Sequence, residues 1–242
     1  QPQLARTHLI GPLLQPLQAT LRETVEGLGM VVEPIVLVDE PVLSCCIQDI
    51  HHVFASFPES GSCLIEMLHS VMHPLFELLC FAKQGVCNLR GALEDIILAF
   101  FRNSDKQVAL DYLKHVAFRG HNSSFKAMHN GVRFAPGPNG GAVVMFRADV
   151  SAAELFTESL ISHEHTAATV LELLQKLKME GLAGDFFIMV LKELTSITSS
   201  NSSEVTPKNL SSDPSHILLG MEEGQDAQVA HVQHSLQVLA LL

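Results

Sequence analysis

Apolar residues recur every three or four positions along the first half of the chain, which is the spacing of one face of an α-helix. The first such stretch runs from Pro12 to Leu28 and ends at Gly29. An extended stretch from Met30 to Val38 follows, and a second periodic stretch runs from Asp39 to about Phe57, with Asp39 as a candidate N-cap. The pattern therefore predicts two amphipathic helices separated by an extended segment.

Three more helices are predicted before residue 118. The first spans 62–84 and contains Pro74, which leaves the carbonyl of Ser70 without a partner, so a bend is expected there. The second spans 87–102. Ser104 and Gln107 form a possible capping box for the third, which continues to Ala117.

Glycine and proline crowd the segment from Arg119 to Val150 and interrupt the helical pattern. Short apolar runs on either side of the glycines fit a hairpin of Val132 to Ala135 against Ala142 to Arg147. They fit a loop without regular structure equally well. The composition leaves both interpretations open.

Helical spacing resumes in 152–162, in 166–180 with Gly181 as its stop, and in 185–198. Consecutive helices with short connections pack antiparallel, and stacked pairs form a solenoid. We therefore predict an all-α fold, a HEAT/armadillo-like α-solenoid fragment with one Gly/Pro-rich insertion. Its parts are helical repeats in 1–118, the insertion in 119–151, repeats in 152–198, a Ser/Asn-rich and then acidic linker in 199–226, and a truncated helix in 227–242.

Charge and composition exclude some functions. The formal net charge is −11, whereas nucleic-acid binding needs an excess of Lys and Arg. No apolar run approaches the ~18 to 20 residues of a membrane span. Five cysteines, an odd number, lie in helix-like apolar runs, which indicates free buried thiols in a reducing, cytoplasmic compartment.

The histidines and cysteines that could bind a metal or take part in catalysis lack further ligands or catalytic partners at the spacing that such sites need. His69 and His73 lie four apart, as metal ligands on a helix do, but no third ligand accompanies them. His163-Glu164-His165 falls at a predicted helix start, where polar residues are common, and Cys45-Cys46 point about 100° apart on a helix. We expect no catalytic residue, no cofactor and no metal, and hence a protein that is not an enzyme.

A local excess of positive charge is the main surface feature. Seven basic and two acidic residues lie between positions 102 and 147, a balance of +5. This basic strip fits either a solvated surface or a contact site for an acidic protein partner or for the chain's own acidic tail. In the second case Arg119, Lys126 and Arg133 are expected to have free head groups. The strip comprises Arg102, Lys106, Lys114, Arg119, Lys126, Arg133 and Arg147.

The run from Leu75 to Arg90, continued by Ile96 to Arg102, resembles the transport and Golgi organization 6 family, also named transmembrane and coiled-coil domain protein. The stretches Val132 to Gly137 and Gly184 to Thr195 are similar too, so that the resemblance covers roughly Pro12 to Thr198. It implies an internal portion of a large HEAT-like solenoid and no catalytic positions. Fungal relatives are implicated in assembly and nuclear import of RNA polymerase II, and the animal name refers to secretion and Golgi organisation.

Together, residues and resemblance predict a non-catalytic scaffold that binds other proteins. The processes implied are protein secretion and Golgi organisation, or RNA polymerase II assembly and nuclear import. The alternative is a peripheral membrane or Golgi-associated adaptor, with cytoplasmic location and contact with Golgi or ER membranes. A metal-dependent hydrolase is a distant alternative.

Overall fold

Eight α-helices and three short β-strands form the part of the chain that the computed structural model describes, which is residues 4, 6–21, 34–56, 62–118, 125–147, 152–177, 179 and 181–202. A π-helical turn, Arg6–Ile10, precedes the first helix, and another, His51–Ala55, extends the second. The helices are α1 Gly11–Gln18, α2 Glu40–Ile50, α3 Ser62–Leu68, α4 Met72–Gln84, α5 Arg90–Asn103, α6 Lys106–Phe118, α7 Ala152–Leu177 and α8 Leu182–Ser202.

Helix α1 ends ten residues earlier than the periodicity predicts. The Thr20 hydroxyl donates to the Leu17 carbonyl at 2.6 Å, and the Thr20 carbonyl accepts from the N–H of His129 at 3.0 Å. Leu21 then forms a β-bridge with Met128. The predicted helix is therefore wrong beyond Gln18 as far as Leu21, because pairing with a distant segment replaces the next turn. Residues 22–28 of that prediction lie outside the described residues.

The helix predicted over 62–84 is two helices. Residues 69–71 form a turn between α3 and α4, and Val71, at φ −122° and ψ 5°, precedes α4. Pro74 is the third residue of α4, where its missing N–H would have no helical acceptor. A break before the proline thus replaces the predicted bend around it.

Two further helix boundaries differ from the predictions. Ser104 does not cap α6, because its buried hydroxyl has no hydrogen-bond partner among the residues that the structure describes. Helix α6 begins where Ala109 donates to the Asp105 carbonyl. Helix α7 is continuous through His163-Glu164-His165, so the predicted helix start there is wrong. Gly181, at φ +74°, separates α7 from α8 as expected of a glycine after a helix.

The three strands form one antiparallel sheet in the order β1, β3, β2, with β1 Ile35–Val38, β2 Val132–Pro136 and β3 Ala142–Phe146. Strands β2 and β3 form a hairpin, which was one of the two interpretations that the sequence left open. β1, from the extended stretch before α2, covers the other edge of β3 and pairs Ile35 with Phe146. The all-α prediction is corrected on this point: the molecule is mostly helical with a small sheet, whose β-branched strands suit a half-buried edge.

One apolar core joins all eight helices to the sheet. α1 packs on α2, α4 on α5, and α6 on α8, while α7 contacts α4, α5 and α6. The sheet packs through β3 on α2. An aromatic group lies at the centre, where Phe76, Phe100, Phe101 and Tyr112 are almost fully buried and meet edge to face.

Candidate interaction surface

Helices α6 and α8 are joined by buried apolar side chains and by two ion pairs at the surface. Leu182, Phe186 and Val190 of α8 are buried in the core. Lys106 pairs with Asp185 at 2.5 Å and Lys114 pairs with Glu193 at 3.2 Å. Since both lysines are nearly half exposed, each pair contributes only about 0 to 1 kcal/mol to stability. Two charges of the basic strip are therefore neutralised by acidic residues about 80 positions later.

Other residues of the basic strip lie on or beside the hairpin. Arg133 is half-buried in β2, and Arg147 is exposed directly after β3. Lys126 follows the buried Phe125. All three interact with other groups of the chain, so the expectation that Lys126 and Arg133 have free head groups is wrong.

The structure thus divides the basic strip into two parts. Arg102 is exposed in the last turn of α5, four residues before Lys106 of α6 along the chain. The hairpin instead lies on α2 and, through Phe134, against Phe81 of α4, with ring centroids 6.4 Å apart. Arg119 lies outside the described residues.

The hairpin loop is bound by a carboxylate that the sequence patterns did not single out. Glu40, the first residue of α2, is only 3% exposed. Its Oε1 accepts from the Gly141 N–H at 2.6 Å, and its Oε2 accepts from the backbone N–H of Asn139 at 2.8 Å and the Asn139 side-chain amide at 3.2 Å. Charge-assisted hydrogen bonds of this kind are the stronger class. They join the hairpin loop to the first turn of α2.

Two glycines make this approach possible. A Cβ on Gly137 or Gly141 would lie 2.4 Å or 2.6 Å from the Glu40 carboxylate, closer than real Cβ atoms come. The loop is also hydrogen-bonded to the turn between α4 and α5, where Asn88 donates to the Gly140 carbonyl at 2.9 Å. The glycine-rich loop was the available signal: glycines are common where another group approaches the backbone closely. The sequence pattern alone did not name that group.

The sequence of this chain matches a known protein family. The family model described as "Transport and Golgi organization protein 6 homolog, ARM-like repeat" matches residues 1–180. The chain belongs to this family. The resemblance seen in the sequence is thereby confirmed, and the armadillo-like interpretation of the helices agrees with the family's repeat type. No solved structure gives a match.

Within the ARM-like region, the histidines of the predicted helix 62–84 pack among aromatic rings. His69 stacks on Phe125 with centroids 4.7 Å apart and an interplanar angle of 19°. Burial lowers the pKa of His69, which favours its neutral form. His73 Nδ1 lies 3.2 Å from Nε2 of His115, a residue of α6 that is 4% exposed. The structure brings together no group of three or more potential metal ligands among the residues it describes.

Four cysteines of the ARM-like region are free thiols with different exposure. Cys45 is exposed and Cys87 half-buried, whereas Cys46 and Cys80 are buried. Burial raises the pKa of both buried thiols to about 12. The Cys46 thiol donates to the Leu13 carbonyl at 3.2 Å, which joins α2 to α1. The side chain of Cys63 lies outside the described residues.

No helix in the described ranges combines the length and apolar character needed to cross a membrane. The longest, α7, carries Glu172 and Lys176, which take part in ion pairs with α4 and α5.

Proposed function

We propose that this chain is a non-catalytic ARM-like scaffold that binds other proteins in secretory transport and Golgi organisation. The observation that carries the proposal is the match of an ARM-like repeat family over residues 1–180, since repeat arrays of this kind present extended surfaces to partners. The family's description is the support for the cellular process. The fungal link to RNA polymerase II assembly and nuclear import defines the second process to be tested.

The partner-binding surface is proposed to lie where α6 meets α8, around Arg102, Lys106 and Lys114. Arg102 is exposed, and the two lysines are nearly half exposed in weak surface ion pairs. Carboxylates of a partner can replace Asp185 and Glu193 at little cost, because exposed pairs of this kind contribute about 1 kcal/mol or less. Basic residues would chiefly raise the rate of association with an acidic partner and lose effect as salt rises.

Affinity purification of the full-length protein from cells, followed by mass spectrometry, tests both statements. Wild type is expected to recover secretory or Golgi components. A variant with Arg102→Glu, Lys106→Glu and Lys114→Glu is expected to recover them several-fold less at low salt, with a smaller difference at high salt. Arg90→Glu, at the exposed start of α5, is the matched control and should behave as wild type.

Three results would count against the proposal. Recovery of polymerase subunits in place of secretory components would indicate that the scaffold acts in RNA polymerase II assembly and nuclear import. Unchanged recovery by the triple variant, with its helical circular dichroism preserved, would place the contact surface elsewhere. Flotation of the purified protein with lipid vesicles of Golgi composition, without any protein partner, would indicate that the chain is a peripheral membrane adaptor and not a protein-binding scaffold.

A further inference from the structure

Helix α8 has an apolar face on each side. Leu182, Phe186 and Val190 face the core and are at most 1% exposed. On the opposite side Phe187, Ile188 and Leu191 are 40%, 50% and 39% exposed. These three residues form the outer face of α8, and successive α-helical positions turn by about 100°, which places them together.

The outer face itself carries no charge, and the exposed Lys192 lies at its edge beside Ile188. Gly184 and Thr195, at helical spacing from Leu191, are exposed and uncharged. The charged residues of this part of α8 lie at its flanks. Asp185 and Glu193 pair with lysines of α6, and Lys192 is exposed. A surface helix ordinarily places charged residues opposite its buried face, and a helix that is apolar all round is buried on both sides. The pattern therefore indicates that a second element covers α8.

The sequence offers one such element after α8. Segment 227–242 lies outside the described residues and has no Asp, Glu, Lys or Arg. Its residues Val229, Val232, Leu236 and Leu239 are spaced three, four and three apart, which predicts an apolar stripe on a helix. The linker 203–226 can extend over roughly 70 Å, whereas α8 is only about 30 Å long, so the segment can reach any point of α8.

We propose that segment 227–242 forms a helix whose apolar stripe packs on the outer face of α8 and adds the next helix to the array. The outer face and the apolar stripe would be removed from water together, which is the main favourable contribution to helix packing. The proposal concerns packing within the chain and does not rest on the proposed function.

Hydrogen–deuterium exchange of the full chain tests the proposal. Val232→Asp with Leu236→Asp places two charges in the apolar stripe, and exchange in the α8 peptides covering 182–196 is expected to rise at least ten-fold. His231→Asp with His234→Asp adds two charges on the opposite face of the same predicted helix and is the matched control. In the reciprocal experiment, Phe187→Asp with Leu191→Asp should raise exchange in 227–242.

Wild-type exchange in α8 after the stripe substitutions would overturn the proposal, as would equal effects of the stripe and control variants. Exchange that rises in wild type on dilution, with a dimer seen by light scattering, would also overturn it and assign the outer face to a second copy. Circular dichroism of each variant shows whether the remaining helices are intact, and Leu236→Ser provides a milder second variant with the same expected direction.

Discussion

The Glu40 carboxylate accepts a hydrogen bond at 2.6 Å from the N–H of Gly141, 101 residues further along the chain. The same carboxylate accepts two hydrogen bonds from Asn139. The first residue of α2 thereby binds the loop between β2 and β3, and a buried charge satisfies backbone donors that the turn itself leaves unpaired. This side chain therefore adds a polar contact between the hairpin loop and α2 to the packing of β3 on α2.

Removal of the Glu40 carboxylate is expected to destabilise the fold. Glu40→Ala leaves the N–H groups of Asn139 and Gly141 without their acceptor and should lower the free energy of unfolding by about 3 kcal/mol. Glu40→Gln keeps the size but turns an amide N–H₂ towards an N–H donor, so a loss of about 2 kcal/mol is expected. Urea denaturation measures both.

The control for this prediction is Glu66→Gln, which changes an exposed carboxylate on α3 and should alter stability by less than about 0.5 kcal/mol. If Glu40→Ala costs no more than this control, the carboxylate does not hold the hairpin in place.

Substitution by alanine is expected to have opposite effects on stability at Gly141 and at Gly91. Gly141→Ala places a Cβ 2.6 Å from Glu40 Oε1 and should lower the free energy of unfolding by about 1 to 3 kcal/mol. Gly91, near the start of α5, has open space at the Cβ position, and Gly91→Ala should raise stability by about 0.5 kcal/mol because alanine favours the helix. Thermal or urea unfolding that gives both changes the same sign would contradict the steric argument.

Local periodicity was sufficient to locate most helices but not all of their ends. Helix α5 lies close to its predicted range, as the spacing of Leu93, Ile96, Ile97 and Phe100 is a property of the helix itself. The early end of α1 was missed because Leu21 pairs with Met128, more than 100 residues away. A single sequence gives no sign of such a pair.

The sequence predicted the excess of basic residues at the candidate surface, but it did not show which side chains lie opposite them. Counting charges identified Lys106 and Lys114, yet it could not show that Asp185 and Glu193 lie opposite them on α8. Glu40 was placed correctly in a first helical turn, where acidic residues are common, and this ordinary explanation hid its contact with the hairpin. The contact requires both the glycines of the loop, which allow the close approach, and the Glu40 carboxylate, which accepts the hydrogen bonds.

Acid is expected to weaken the contact of α7 with α4. The hydrogen bond from Lys176 at 2.7 Å, and then that from Lys83 at 2.5 Å, lower the pKa of Glu172 from 4.5 to about 2. A carboxylate whose pKa is lower in the folded state stabilises the fold above its unfolded pKa, and this contribution is lost as pH falls from about 4.5 to about 2. Stability should therefore decline over that window.

Glu172→Gln measures the effect. At pH 7 the variant should be about 1 kcal/mol less stable than wild type, a modest value because Glu172 is about one-third exposed and solvent screens the pair. The difference should shrink steadily below pH 4.5 in urea titrations. A difference that is the same at pH 7 and pH 3 would show that the ion pair does not contribute in the expected way.

The cysteines are expected to differ in reactivity by orders of magnitude. The thiolate is the reactive form, and burial raises the pKa of Cys46 and Cys80 to about 12, so that at pH 8 only about one molecule in 10⁴ has either thiol ionised. Cys45 lies beside Cys46 on α2 but is exposed. Under native conditions a disulfide reagent such as DTNB should therefore modify Cys45 rapidly, and Cys46 and Cys80 only after urea unfolds the chain.

Variants and peptide mapping keep this prediction specific, since the chain has five cysteines. Cys45→Ser should abolish one rapid thiol equivalent, whereas Cys46→Ser, at the adjacent position, should leave the rapid phase unchanged. Mass spectrometry of the labelled protein identifies the modified residues. Modification of Cys80 as fast as that of Cys45 would mean that α4 does not pack as described, because the thiol of Cys80 can meet the reagent only if the core around it opens.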